Sequence, residues 1–304
     1  MRMTSMTFVL TLLLLPTTAS AHQSAPAVEP EISFKATELA PGLHMIEGVG
    51  GFAGGNIGLL TGPDGVVMVD DSFPPFASLL LESVAKVAGA PIDFVINTHV
   101  HGDHVGGNHL VGQAGATIVA HDNVRARLVR DGIVGGPEPV PAPKEALPVV
   151  TFADAVTFHL NGQEAYVFHV AKAHTDGDAI IHFRGANVIH AGDVFFHGIF
   201  PFIDLDSGGS VDGYIAAQKR ILEVADDATK IIPGHGVIAG KADLEASVAM
   251  LEDVKKIIGD LVAAGLSVEE VLEKKPLAAY EAQSWAFITT ERMIRQVYRD
   301  LAAN

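Results

Sequence analysis

The stretch Ile92-Asp93-Phe94-Val95-Ile96-Asn97-Thr98-His99-Val100-His101-Gly102-Asp103-His104 decides how this chain is read. Its first half is an apolar run of strand character, and the six residues that end it, 99–104, carry three imidazoles and a carboxylate. Neutral imidazole is the commonest ligand for zinc, and carboxylate oxygens complete sites that stay open for a reacting water. A loop leaving a strand can re-aim each side chain toward a shared centre. Such density predicts a metal site at a strand end rather than a polar surface loop, because histidines crowded together without a partner are poorly tolerated.

Outward from this cluster, short apolar runs at residues 32–36, 43–47, 56–61, 66–70, 94–97 and 116–120 read as strands, with helical spacing at 76–87, 105–110 and 122–130. The Gly/Pro-rich residues 132–148 read as an excursion over the surface. A second series of strands follows at 156–160, 164–171, 179–184 and 187–191, then a helix at 210–224 and a short strand at 230–233. Beyond Gly240 the pattern is helical only, at 242–264, 268–273 and 290–302. Leu244, Val248, Leu251, Val254, Ile258 and Leu261 recur at helical spacing, so that segment should pack one face on the body. Strands and helices repeated in two halves predict an α/β fold of two sheets between helices.

At the N-terminus Arg2 precedes an apolar core, Phe8 to Leu15, which Pro16 ends, and Ala19-Ser20-Ala21 offers small residues for cleavage. This reads as a secretory signal over residues 1–21, with a mature chain starting near His22 in the periplasm or outside the cell. The apolar run falls far short of the roughly twenty residues that span a bilayer, so no stable membrane anchor is expected. Loss of Arg2 with the leader takes the formal charge from −16 to −17. That acidity argues against a nucleic-acid partner, which calls for a basic face. There are no cysteines, which excludes disulfides as well as cysteine ligands or nucleophiles.

Three more polar residues stand where turns follow apolar runs: His174 in Ala173-His174-Thr175, Asp193 in Ala191-Gly192-Asp193, and His235 in Pro233-Gly234-His235-Gly236. Singly, each reads equally well as a turn or cap residue. Their joint order behind the first cluster distinguishes them.

With that order in view, the chain resembles the metallo-β-lactamase superfamily. His99-x-His101-x-Asp103-His104 followed by His174, Asp193 and His235 matches the seven ligand positions of its dinuclear hydrolases, and Val67-Met68-Val69-Asp70 resembles its early strand ending in aspartate. The resemblance implies a four-layer αββα sandwich as a catalytic domain over residues 22–240, with the metals at one edge between the sheets. The helices of residues 241–304 would be an extension packed on it. By position, His99, His101 and His174 would hold a first zinc, Asp103, His104 and His235 a second, and Asp193 would bridge them. This set is closer to the glyoxalase II-like branch than to the familiar β-lactamases, where the bridging position is filled differently, often by cysteine. Iron or manganese accept the same nitrogen and oxygen ligands.

Two close divalent ions bring an intervening water into the neutral titration range, so the expected chemistry is attack of hydroxide on a carbonyl without a covalent acyl-enzyme. Asp103 would orient that attack. Asp70 reads as a residue that orients a ligand loop or as an ordinary strand-end cap. The glycine-rich segment around Phe52 resembles a flap over the active site in lactamase relatives, and a plain hairpin is the alternative. His197 and Lys172 are candidate substrate contacts.

The expected substrate is a small molecule with a hydrolysable carbonyl. Export makes a β-lactamase-like amide hydrolase in the periplasm the leading expectation; the alternative is an exported glyoxalase II-like thioesterase, which the ligand set fits, or a lactonase or esterase. Val194-Phe195-Phe196-His197 lacks the lysine that lactamases often use to hold the substrate carboxylate. A diiron oxygen- or nitric-oxide-reducing relative would carry glutamate at the position of His101 and usually a flavin domain. The remaining alternatives are a nuclease and a noncatalytic metal-binding module.

Overall fold

The computed structural model describes residues 31–134 and 138–303. The leader assigned to residues 1–21 and the expected start at His22 lie outside the described residues. In one sheet, β1 (Ser33–Ala40), β2 (Leu43–Val49), β3 (Ile57–Leu60), β4 (Val67–Val69), β5 (Phe94–Ile96), β6 (Thr117–His121) and β7 (Val150–Phe152) lie side by side in sequence order. Pairing is antiparallel up to β4 and parallel from β4 onward, where α1 (Ala77–Ala88), α2 (Gly102–Val105), α3 (Asn108–Gln113) and α4 (Asp122–Asp131) fill the connections. The second sheet runs β8 (Ala155–Leu160), β9 (Gln163–His169), β10 (Ala179–Phe183), β11 (Val188–Phe196), β12 (Lys230–His235) and β13 (Ala239–Gly240). Its one parallel pair is β11 with β12, joined through α5 (Val211–Leu222).

Strand periodicity explains the layers, since successive side chains on a strand leave by opposite faces. Val67, Val69, Ile96 and Val119 meet Val167, Ile181, Val188 and Ile232 between the sheets. Their neighbours Met68, Val95 and Ile118 turn outward onto Leu80 and Val84 of α1, and Ile180, Ile189 and Ile231 turn outward onto Ala217 and Ile221 of α5. Both faces of each strand are therefore buried, which is why these strands read as continuous apolar runs rather than alternating ones. The αββα expectation is met.

Five stretches differ from the sequence reading. The helix expected at 105–110 is instead α2 and α3 with a break at Gly106 and Gly107, whose N–H groups donate to Ser72 O (3.0 Å) and Asp71 Oδ1 (2.7 Å). β11 runs five residues past the expected 191, and β12 continues to His235. β7, unforeseen in the sequence, pairs with β6 at the edge of the first sheet. Within the excursion 132–148, Ile133 pairs with Val140 and Ala146 is fully buried, so both sites have apolar neighbours rather than solvent.

Three further helices, α6 (Lys241–Ala263), α7 (Val268–Glu273) and α8 (Thr290–Ala303), pack with α5 around one apolar cluster. Val248, Leu251, Val254 and Ile258 of α6 supply the expected face, opposite Val271, Met293, Ile294 and Val297. Among the described residues, no helix is long and apolar enough to cross a membrane.

Candidate metal centre

The residues singled out in sequence gather at one edge of the sandwich. His99, His101, Asp103 and His104 follow β5, His174 lies between β9 and β10, Asp193 sits within β11, and His235 ends β12. They form two adjoining groups. In the first, His101 Nδ1 lies 3.2 Å from His99 Nε2 and 2.8 Å from His174 Nε2, and Asp193 Oδ2 is 3.8 and 3.5 Å from the same two nitrogens. In the second, Asp103 Oδ2 lies 3.5 Å from His104 Nε2 and 3.3 Å from His235 Nε2. Asp193 stands between them, with Oδ1 3.0 Å from His104 Nε2 and Oδ2 3.4 Å from His235 Nε2.

These separations suit a cation, because ligand atoms about 2.0–2.1 Å from a tetrahedral ion stand about 3.3 Å from one another. The proton inventory points the same way. His101 donates through Nε2 to Asp204 Oδ2 (2.9 Å), and His174 donates through Nδ1 to Phe202 O (2.8 Å). Thr98 Oγ1 donates to Asp70 Oδ2 (2.7 Å) and so accepts from His99 Nδ1 (3.0 Å). Each outer nitrogen thus carries its proton, and the three inner nitrogens converge lone pair on lone pair, an arrangement that a cation relieves. Likewise His104 donates through Nδ1 to Asp70 Oδ2 (2.7 Å), while its Nε2 and Asp193 Oδ1, 3.0 Å apart but not aligned as a hydrogen bond, are buried with no other partner. The residues therefore fit a pair of divalent ions, with Asp193 able to reach both.

Burial holds His99 well below the usual imidazole range and His174 down at about 4, so their inner nitrogens stay available. For His235 burial also pushes downward, but Asp193 and Asp103 outweigh it and raise the ring to about 9. His104, opposed by Asp193, Asp103 and Asp70, is raised in the same way against its burial. A cation bound here at neutral pH would have to displace protons from these two rings.

Asp70 anchors the cluster from behind. The chain leaves β4 and turns at Asp70 with φ +63°, a conformation few non-glycine residues adopt. The fully buried carboxylate accepts from Thr98 N (2.7 Å) as well as from Thr98 Oγ1 and His104 Nδ1. One side chain thereby holds both ends of the 98–104 loop.

A cavity of about 770 Å³ opens over the centre. Its wall is aromatic: Phe52, Phe73, Phe196, Phe202, Trp285 and Phe287 line it, alongside His101, Asp103, Asp193 and His235. Phe52 stacks on His235 with centroids 5.3 Å apart and stands 6.4 Å from Trp285, which itself lies 6.4 Å from His235. Arg127 is the one lysine or arginine among the described lining residues, and its Nε and Nη2 are both engaged by Asp176 at 2.8 Å. Two candidates from the sequence do not line this cavity. His197 donates through Nδ1 to Val237 O (2.9 Å), and Lys172 is exposed on a left-handed turn. Asp204, Trp285 and Phe287 escape the sequence reading because no motif surrounds them. The only hint is that Trp285, the chain's single tryptophan, interrupts a helical tail.

The model of the metallo-beta-lactamase superfamily matches residues 50–235. A hydroxyacylglutathione hydrolase from Polaromonas sp. (strain JS666 / ATCC BAA-500) is 27% identical over 161 residues, 51% of this chain and 53% of that protein. The chain thus spans about half the length of this curated relative. Among solved structures, a metallo-beta-lactamase from Pontibacter korlensis superposes with a TM-score of 0.60 at 17% identity, over 72% of this chain and 99% of that one. The DIM-1 metallo-beta-lactamase gives 0.58 at 16% identity, over 73% and 99%.

Proposed function

Since the chain belongs to the metallo-β-lactamase superfamily, most of whose members are metal-dependent hydrolases, we propose that it holds two zinc ions and hydrolyses neutral esters or lactones that carry a bulky apolar group. Iron or manganese would suit the same ligands. Two bound ions would supply a water acidified into the neutral range and a Lewis acid for the carbonyl oxygen. The chain's own residues do the rest. Asp103 Oδ2 faces both the cavity and the second histidine pair, so it is placed to accept a proton from an attacking water and to fix its direction. Asp193 holds the two groups in register, and the aromatic wall excludes solvent while gripping the apolar part of the substrate.

The observation that carries the substrate class is the wall itself. A β-lactam brings a carboxylate and glutathione brings two, and each asks for an uncommitted cation near the carbonyl. Arg127 is held by Asp176, and Lys172 and His197 stand outside the cavity. A thioester is the second reading, favoured by the relative named as a hydroxyacylglutathione hydrolase. The β-lactam reading rests on export of the chain, which we infer from the apolar leader of residues 1–21. Mass spectrometry of secreted protein tests that step: a start near His22 supports it, and intact Met1 on the main population overturns it.

A hydrolysis panel tests the substrate class, with zinc-loaded protein given aryl and long-chain esters, lactones, S-acyl glutathiones and β-lactams. We expect the highest kcat/KM on bulky apolar esters or lactones. Trp285→Ala should raise KM for these by about tenfold or more while leaving a small ester much less affected. Better turnover of β-lactams or glutathione thioesters than of every ester would sink the proposal.

A further inference from the structure

We propose that Gln296, on α8, is a positioning residue for the first histidine group and acts through residues 200–204. The inference rests on the metal reading above but concerns a side chain that touches none of the seven clustered residues. Gln296 is nine-tenths buried. Its Nε2 donates to Pro201 O (2.8 Å) and its Oε1 accepts from Ile203 N (3.2 Å), so one amide grips the backbone on both sides of Phe202. From the far side of the same segment, Phe202 O accepts from His174 Nδ1 (2.8 Å), and the Phe202 ring lies nearly parallel to His101 at 5.8 Å. Two residues on, Asp204 accepts from His101 Nε2 (2.9 Å), and its N–H donates to His174 O (2.9 Å).

Residues 201–204 belong to no helix or strand, so no backbone ladder sets their place. Opposite the two histidines, the C-terminal segment holds them. Phe200 N donates to Gln283 O (2.8 Å), Trp285 Nε1 donates to Phe200 O (2.9 Å), and Gln296 secures the middle. Asp204 depends on that placement. Its Oδ2 accepts from His101 Nε2 and its Oδ1 from Ser207 N (3.0 Å), so a shift of the segment moves the partner of the ring. A glutamine suits the task because it offers one donor and one acceptor at a fixed spacing. Helix α8 lies outside the span matched by the family, yet it aims the ring nitrogens of His101 and His174.

The test is a titration of metal-free protein with Zn2+ in competition with a chromophoric chelator, together with the visible absorption of the Co2+-substituted protein. Wild-type stoichiometry checks the metal reading by itself. Gln296→Met should weaken one ion by about 10–100-fold and leave the other within about threefold, with the cobalt bands of a single site altered. Val254→Ala, which opens the same apolar cluster from α6 and removes no hydrogen-bonding group, serves as the control matched for loss of Tm. If Gln296→Met does not fold, Gln296→Asn replaces it, since it keeps the amide but is one methylene too short to grip both groups. Unchanged affinities and cobalt bands in the folded variant overturn the inference, as does an equal, one-sided effect in Val254→Ala.

Discussion

Asp103 and Asp178 are two carboxylates that their surroundings put to opposite uses. Asp103 lies at the cavity, where its Oδ2 faces His104 and His235. Asp103→Asn keeps the size but removes the charge, so in folded, metal-loaded protein turnover should fall by about two orders of magnitude or more, whichever substrate the wild type prefers. Wild-type turnover with both ions bound would show that Asp103 does not orient the attack. Asp178 is buried away from the cavity, accepting from Thr175 N (2.7 Å) and Thr175 Oγ1 (2.5 Å), and burial pushes its carboxyl from 3.8 up to about 7. Between those values the folded chain binds a proton that the unfolded chain releases, so stability falls as pH rises and levels off above about 7. The drop is on the order of 4 kcal/mol at most, since each pH unit between the two values contributes about 1.36 kcal/mol. Denaturation of wild type and Asp178→Asn at about pH 5.5 and about pH 7.5, with zinc in excess, should show a slope that the variant lacks. Parallel profiles would refute this.

Among the elements, β11 carries the most consequence. All nine of its residues are buried, and its register with β12 slips on either side of Gly192, where φ is +50°. That bulge turns the strand so that Asp193 points between the two histidine groups rather than into the sheet interface. Gly192 has no room for a side chain: an added Cβ would lie 2.8 Å from Thr98 Cβ, in the loop that bears His99. Gly192→Ala should therefore lower stability by at least about 1–2 kcal/mol through the left-handed backbone alone. It should also weaken metal uptake, because relief of the clash moves Thr98. Unaltered metal affinity in a variant with lowered Tm would mean that Asp193 is aimed by something other than the bulge. The helical tail acts at this scale too, since the loop between α7 and α8 brings Trp285 and Phe287 to a cavity whose other walls come from the sandwich.

At the largest scale, the two sheets, the edge cluster and the C-terminal helices belong to one compact unit, so ligand binding should register as global stability. We expect about two divalent ions per chain on elemental analysis of zinc-saturated protein, and a Tm that falls when a chelator strips them. A stoichiometry that stays at one under saturating zinc would defeat the dinuclear reading. The formal charge of −16 works in the same direction, raising the local concentration of cations and disfavouring polyanions.

Several parts of this protein are legible along the chain because local chemistry writes them there. The clustered imidazoles of residues 99–104 announce a metal, and the order of His174, Asp193 and His235 behind them points to the family. The double burial of each central strand shows as uninterrupted apolar runs, and the face of α6 shows as helical spacing. What tertiary structure alone decided is where distant segments return. Asp204 on His101, the grip of Gln296 on residues 201 and 203, and Trp285 beside Phe52 each join residues with no shared pattern. The exclusion of Lys172 and His197 from the cavity belongs with them. Periodicity records which face of an element is buried, a property of neighbours in sequence. The orientation of a ring nitrogen or the polarity of a cavity wall depends on which other segment packs against it, and that follows only from the folded chain.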